Sequence, residues 1–182
     1  CVDPNFLMIG HDISAARMRT CYGAAAKPLN QRSSIQHIQV NPLSLRLQQR
    51  FDIIIKTVYA SFALLKDPVP RFVTAMYNRH LSVWNEFQEP CVFQDSEDWF
   101  DSQKPCVKKT TAEDFRSSFY ATIHSIRSHG MNPSISLVPV TKNNFPLNGA
   151  HRIAAAIALG LTSMPIQQTK QQHTYDWSYN FF

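Results

Sequence analysis

The segment from Leu147 to Gly160 constrains the fold of this chain more than any other. In it, Gly149 is followed by His151, Arg152 and a run rich in alanine. Glycine permits a tight turn and alanine has the highest helix propensity, so the segment predicts a strand end, a glycine turn and a helix. His151 and Arg152 then occupy the first helical turn.

This layout is typical of an anion-binding site. The first N–H groups of a helix have no intrahelical partner, and the helix dipole places partial positive charge there. Gly149 would let a phosphate approach the main chain, Arg152 would hold it with a planar fork of donors, and His151 would neutralise charge or move a proton. An ordinary helix start that binds nothing is the alternative. The predicted phosphate-binding residues are Asn148, Gly149, Ala150, His151 and Arg152.

Composition indicates a folded domain and is compatible with an anionic partner. The 182-residue chain is 44% hydrophobic and 17% charged, which argues against a disordered chain. Eighteen Lys and Arg against thirteen Asp and Glu give a formal net charge of +5. The basic residues are scattered apart from a small cluster between Lys104 and Lys109, which predicts a solvated loop. No apolar run reaches membrane length, and no segment has the pattern of a signal peptide, so any targeting segment is expected upstream of these residues.

The termini bear on the extent of the chain, and the cysteines bear on its cellular compartment. The chain begins at Cys1 and ends at Phe182, and both ends predict a fragment of a longer chain. Cys1, Cys21, Cys91 and Cys106 show neither C-x-x-C pairing nor the histidine spacing of a zinc site, so no metal site is predicted. Free thiols indicate a reducing compartment, the cytoplasm, while a bridge between Cys91 and Cys106 stays open.

The sequence pattern divides the chain into an irregular arm, residues 1–34, and one α+β domain, residues 35–182. An alternating run from Ile35 to Val40 predicts an edge strand ended by Asn41 and Pro42. The aromatic end of the chain is expected to pack on a missing part of the protein or on a helical hairpin. The predicted parts of the domain are the helical hairpin 44–87, a long loop 91–111, a core 112–170 and an aromatic tail 171–182.

The helical hairpin is predicted from two amphipathic patterns. Ser44 is the expected cap of the first helix, and Asp67 followed by Pro68 ends it. The apolar stripe of the first helix comprises Leu47, Phe51, Ile54, Ile55, Val58, Phe62 and Leu65. The stripe of the second comprises Val69, Phe72, Val73, Met76, His80, Val83, Trp84 and Phe87.

Several ionisable residues in the hairpin and just after it have two interpretations. Asp52 and Lys56 are one turn apart, which predicts a surface ion pair, with a buried functional pair as the alternative. His80 lies on the apolar stripe, and we expect a core histidine there in preference to a ligand-binding one. Glu86 and Glu89 share a helix face and could act as a base or bind a metal, or could be solvated carboxylates at a helix end.

The region from residue 111 to 168 predicts the order helix, strand, turn, strand, helix, strand. Thr111 and Asp114 have nearly the spacing of a capping box, and the helix that follows ends at Gly130. The remaining predicted elements are a strand at 134–140, a turn at 142–144, a short returning strand at 145–148, the alanine-rich helix and a strand at 164–168.

Residues 115–168 resemble the ParB N-terminal/sulfiredoxin-like superfamily. The resemblance implies a small mixed β-sheet with flanking helices, to which the helical hairpin would be an N-terminal elaboration. It also implies that the motif of glycine, a variable residue, His or Arg, and Arg binds nucleotide phosphates. The residues that carry it are Ser125–Gly130, Val138–Val140, Asn148–Ala155, Leu159–Gly160 and Met164–Ile166.

Departures from the family patterns argue against some activities. Sulfiredoxins carry a nucleophilic cysteine directly before the His-Arg pair, and this chain has Ala150 there, which argues against peroxiredoxin repair. ParB partition proteins have two adjacent basic residues after a glutamate and continue into a helix-turn-helix module. Neither feature is found here, which argues against sequence-specific DNA binding. A nucleic-acid-associated ParB-like domain stays an alternative.

The free serine kinases of the superfamily resemble this chain at Gly149, His151 and Arg152. This resemblance implies ATP or another nucleotide as cofactor and a nucleotide or phosphorylated small molecule as partner. Those kinases usually have Asp before the glycine, and Asn148 here weakens the expectation of Mg²⁺. They also use an upstream glutamate as base, for which the candidates are Glu89, Glu86 and then Glu113.

Two functional hypotheses follow. In the first, the domain is a kinase-like phosphotransferase, with His151 and Arg152 at the phosphate and Glu89 or Glu86 as base. In the second, the same turn holds a nucleotide as a non-catalytic switch. A carboxylate across the binding site from Arg152 would favour the phosphotransferase hypothesis. A purely structural domain is the remaining alternative.

Overall fold

Local sequence signals set most of the secondary structure, and the α+β class with a small mixed sheet is confirmed. The structure, a computed structural model, describes residues 37–83, 109–133 and 137–170. A short 3-10 turn spans Pro42–Ser44. The other elements of these residues are β1 (Ile38–Val40), α1 (Phe51–Leu65), α2 (Arg71–Val83), α3 (Ala112–His129), β2 (Val138–Thr141), α4 (Ala150–Ala158) and β3 (Met164–Thr169).

The sheet has the order β1-β3-β2, so the predicted edge position of the first strand is confirmed. β1 pairs antiparallel with β3, with Ile38 opposite Ile166. β2 pairs parallel with β3, with Val138 also opposite Ile166. Parallel neighbours need a crossover connection, and α4 provides it.

The returning strand predicted at 145–148 is wrong. Only an isolated antiparallel bridge joins Val140 to Pro146, with a main-chain bond of 3.0 Å from Leu147 N–H to the Pro139 carbonyl. Proline has no N–H to donate, so Pro146 cannot extend a ladder. The segment nevertheless runs back along β2 and places the start of α4 beside the first residues of that strand.

The predicted start of the first helix is also wrong. Ser44 ends the 3-10 turn, where its hydroxyl donates to the Asn41 carbonyl at 2.7 Å, and α1 begins at Phe51. The predicted stop before Pro68 is confirmed, because α1 ends at Leu65. α1 and α2 pack on one another as a pair.

The buried face of α1 differs from its predicted apolar stripe. Ile54 and Leu65 are 45% and 82% exposed, and Phe72 of α2 is 66% exposed. Asp52 and Lys56 are instead fully buried together with Arg50, so the predicted surface pair is wrong. We call Arg50, Asp52 and Lys56 the ionic cluster.

The residues of the ionic cluster are joined by hydrogen bonds inside the protein. Arg50 donates from Nε and Nη2 to the two carboxylate oxygens of Asp52 at 2.9 and 3.0 Å, and Lys56 Nζ donates to Oδ2 at 3.1 Å. Arg50 Nη1 donates to the Pro146 carbonyl at 2.8 Å. Burial alone would raise the pKa of Asp52, but the charges of Arg50 and Lys56 outweigh it and hold that pKa well below its ordinary value.

The capping box predicted at the start of α3 is confirmed. The Thr111 hydroxyl accepts from the Asp114 N–H at 3.1 Å, and the Asp114 carboxylate accepts from the Thr111 N–H at 2.9 Å. The predicted end of the helix is confirmed as well, because Gly130 follows it with a φ of 67°. A positive φ at this position favours glycine.

Aromatic rings and α4 form the centre of the core. Tyr77 of α2 is fully buried, with its ring 4.5 Å from Tyr59 of α1 and 5.9 Å from Phe119 of α3. α1 packs along α4, and the fully buried residues of α4 are Ile153, Ala154, Ala155 and Ala156. Small alanine side chains allow this close approach of two helices. His80, predicted as a core histidine, is fully buried against the edge of Tyr77 at 4.7 Å.

Several predictions fall outside the described residues. They concern the arm 1–34, all four cysteines, Glu86 and Glu89, Trp84 and Phe87 of the second stripe, most of the loop 91–111, and the tail 171–182.

Replacing Asp52 with Asn is expected to lower the free energy of unfolding by about 3–5 kcal/mol, because two buried cations lose the carboxylate between them. Since the pKa of Asp52 lies below its ordinary value of 3.8, its contribution is present above that pH and is lost as the pH falls below it. Urea denaturation at several pH values measures both effects.

Glu113→Gln is the matched control. Glu113 is an exposed partner of Arg116, and such pairs contribute about 0–1 kcal/mol. Equal losses in the two variants would show that the ionic cluster does not stabilise the fold.

Candidate functional site

The start of α4 is an uncapped helix end inside the protein. Gly149 is the N-cap residue in a left-handed conformation, with φ 82° and ψ 23°, and no side chain caps the helix. The N–H groups of Ala150 and His151 donate no hydrogen bond to another described residue. The capped start of α3 differs in this respect, so at α4 these two main-chain donors are not used by the described residues.

Arg152 fills the space above Gly149. Its side chain is buried, with Nη1 donating to the Leu137 carbonyl at 2.9 Å. A Cβ on Gly149 would lie 3.0 Å from Arg152 Nη2 and 3.2 Å from Val138 Cγ2. The close approach to Gly149 that we predicted for a phosphate is therefore made by the guanidinium group, which ties the first turn of α4 to the start of β2.

Asn148 stabilises the turn that precedes the helix. Its side-chain oxygen accepts a hydrogen bond from the N–H of Gly149. The amide has no carboxylate to offer a hard cation, and its oxygen is already used within the turn. Asn148 thus helps to fix the left-handed Gly149 at the helix start.

His151 points from α4 towards the aromatic side chains of α2 and α3. Its Nε2 shares a hydrogen bond of 2.7 Å with the hydroxyl of Tyr77, and its ring packs edge-on against Phe119 at 4.6 Å. Nδ1 has no hydrogen-bond partner in the part of the chain that the structure describes. The imidazole is half-buried and held at one nitrogen only.

His151 is a neutral imidazole near neutral pH. Burial lowers its pKa well below 6.5, and the positive charges of Lys56, Lys109, His80 and Arg152 lower it further. Of the two roles predicted for His151, proton exchange fits a neutral ring, whereas neutralising charge needs the imidazolium. The positive potential of the site comes from the lysines and Arg152.

The structure brings no predicted carboxylate to Arg152 within the described residues. Glu113, at the start of α3, accepts hydrogen bonds from Arg116 and from the Ser117 hydroxyl. The hydrogen bond from Arg116 is the main cause that lowers the pKa of Glu113. Glu86 and Glu89 lie outside the described residues. In the described ranges, no group of His, Cys, Asp and Glu could hold a metal ion.

Two residues of the site were missed by the sequence analysis. Tyr77 lies on the buried face of α2, three residues before His80, and this spacing could have placed it in the core. Its contact with His151, 74 positions away, has no local signal. Lys56 was noted only as a partner of Asp52, and its influence on His151 depends on the packing of α1 against α4.

No family model, curated protein or solved structure matches this chain. The resemblance to the ParB N-terminal/sulfiredoxin-like superfamily stays a prediction based on the motif residues. Within the described residues, no helix has the length and apolar character needed to cross a membrane.

Gly149→Ala is expected to destabilise the protein by about 1–3 kcal/mol more than Gly160→Ala, because its Cβ would crowd Arg152 and Val138. Gly160 has a φ of 68° and open space around it, so its substitution adds the backbone cost alone, about 1–2 kcal/mol. Thermal or urea unfolding compares the two variants. Losses of the same size would mean that the packing of Arg152 on Gly149 is not tight.

The pKa of His151 is expected to lie below 6.5 in an NMR titration. Because the folded state holds this ring neutral, the unfolded state binds more protons below pH 6.5, and the free energy of unfolding falls as the pH drops from there. His151→Gln should remove part of this fall in urea titrations. A His151 pKa above 6.5 would contradict the positive potential inferred for the site.

Proposed function

We propose that this domain binds a phosphate-bearing ligand, a nucleotide or a phosphorylated small molecule, at the start of α4. The observation that carries the proposal is the uncapped helix start, where Ala150 is buried and two main-chain N–H groups donate to no other described residue. A buried helix end needs hydrogen-bond partners. The oxygen atoms of a phosphate supply such partners.

The charges around the helix start support an anion in preference to a neutral ligand. Lys56 from α1, Lys109 from the segment before α3, and Arg152 from α4 all act on His151. Burial contributes most to the lowered pKa of His151, and these positive charges add to it. The same charges that disfavour an imidazolium favour a phosphate nearby. Lys109 also lies 5.0 Å from the centre of the Phe115 ring, and that ring is 6.4 Å from His151. The ligand would meet cations from three parts of the chain.

The proposal concerns binding. Phosphoryl transfer would also need a base facing the acceptor group. Of the three glutamates predicted for that role, Glu113 is bound to Arg116 and Ser117, and the other two lie outside the described residues. A neutral His151 can accept a proton, which keeps a kinase-like activity compatible with the site. The non-catalytic switch needs no further group.

Isothermal titration calorimetry with ATP, CTP, pyrophosphate and inorganic phosphate tests the proposal. We expect measurable binding of at least one of them, with affinity falling as the salt concentration rises, because exposed parts of the site are screened. Lys109→Gln should weaken the binding about two- to fivefold by removing one cation.

Lys142→Gln is the matched control. Lys142 is exposed in the turn after β2, at the opposite end of that strand from the start of α4, so its loss should leave the affinity unchanged. The proposal is overturned by the absence of binding to all four compounds. It is also overturned by equal weakening in the two lysine variants, which would indicate attraction by net charge alone.

A further inference from the structure

Tyr77 and His151 form a rigid pair beside the helix start. The Tyr77 side chain is fully buried, and its ring contacts Tyr59, His80 and Phe119. These contacts fix the position of its hydroxyl, which lies 2.7 Å from His151 Nε2. Phe119 restrains the imidazole from a second side, with ring centres 4.6 Å apart. The ring of His151 therefore has one preferred orientation.

In this orientation Nε2 is used by the hydrogen bond with Tyr77, whereas Nδ1 is not. Nδ1 is bonded to Cγ, so it is the ring nitrogen nearer to the main chain of the first helical turn. It has no hydrogen-bond partner among residues 37–83, 109–133 and 137–170. The N–H groups of Ala150 and His151 lie in the same turn. A ligand that also contacts the His151 ring would therefore bind donors of a single helical turn.

Burial, and after it the charges that act on His151, favour the neutral form of its ring. The groups that carry these charges are Lys56 from α1, His80 from α2, Lys109 before α3, and Arg152 on α4 itself. All are basic groups, and they favour a neutral ring with a single proton. An anion can only accept hydrogen bonds, so that proton must be on Nδ1 if the imidazole is to help bind it.

We propose that Tyr77 is a positioning residue that donates its hydroxyl hydrogen to His151 Nε2 and thereby holds the proton of His151 on Nδ1, where it donates to the anionic ligand. The proposal rests on the proposed function of the α4 start as a phosphate site. It assigns His151 the role of a neutral, oriented donor. Arg152, by contrast, acts through its charge and through its contact with the Leu137 carbonyl.

The position of the proton can be read from a long-range ¹H–¹⁵N correlation spectrum of the ¹⁵N-labelled protein, because protonated and unprotonated ring nitrogens have distinct shifts. His151→Gln identifies the signals of His151. In the ligand-free wild type we expect a protonated Nδ1 and an unprotonated Nε2. In Tyr77→Phe, which keeps the ring and removes the hydroxyl, we expect the proton to move wholly or partly to Nε2.

Binding provides the second readout. Tyr77→Phe should weaken the affinity for ATP or pyrophosphate about three- to tenfold, the cost of one hydrogen bond. Tyr120→Phe is the matched control, because Tyr120 lies on α3 with its ring 4.3 Å from His124. That variant should change neither the His151 tautomer nor the affinity.

The outcomes separate this inference from the proposed function. A wild-type protein that binds ATP or pyrophosphate and carries the His151 proton on Nε2 overturns the role of Tyr77 and leaves the phosphate site in place. An unchanged tautomer in folded Tyr77→Phe overturns it as well. Absence of binding in the wild type overturns the proposed function, whatever the tautomer. If Tyr77→Phe fails to fold, the wild-type spectrum alone decides between Nδ1 and Nε2.

Discussion

The arrangement of the site depends on the buried ion pairs that the carboxylate of Asp52 forms. This carboxylate joins Arg50 and Lys56 inside the protein, and Arg50 also holds the carbonyl of Pro146. Pro146 lies in the segment that runs back along β2 and leads into α4. The same carboxylate fixes Lys56, whose charge reaches His151. Removing one partner of such a buried pair is costly because the remaining charges stay desolvated.

The start of α4 combines three features that do not usually serve packing alone. It lacks a side-chain cap, it is buried, and the charges of cations from three parts of the chain act on His151 in its first turn. α3 shows the ordinary solution, in which Thr111 and Asp114 satisfy the helix end on the surface. The contrast between two helices of one domain is the physical basis for proposing an anionic ligand at α4.

Arg152 and Tyr77 make contacts that the resemblance to the superfamily did not imply. The family pattern implies that the arginine grips phosphate, yet here its guanidinium lies on Gly149 and donates to the Leu137 carbonyl. Tyr77, which belongs to no motif, instead contacts the imidazole of His151. Orientation of a donor by a buried hydroxyl is a general way to prepare a binding site before the ligand arrives.

The sequence by itself determined the elements whose signals are local. Gly149 and the alanines specified the turn and α4, Thr111 and Asp114 specified the start of α3, and Pro42 ended β1. Tertiary structure alone decided that Asp52 and Lys56 are buried, because an i to i+4 pair has the same spacing on either face of a helix. It also decided the contact of Tyr77 with His151 and of Arg50 with Pro146, which are 74 and 96 positions apart. Helical periodicity identifies a buried face only when that face is apolar, and it carries no information about the partner across the core.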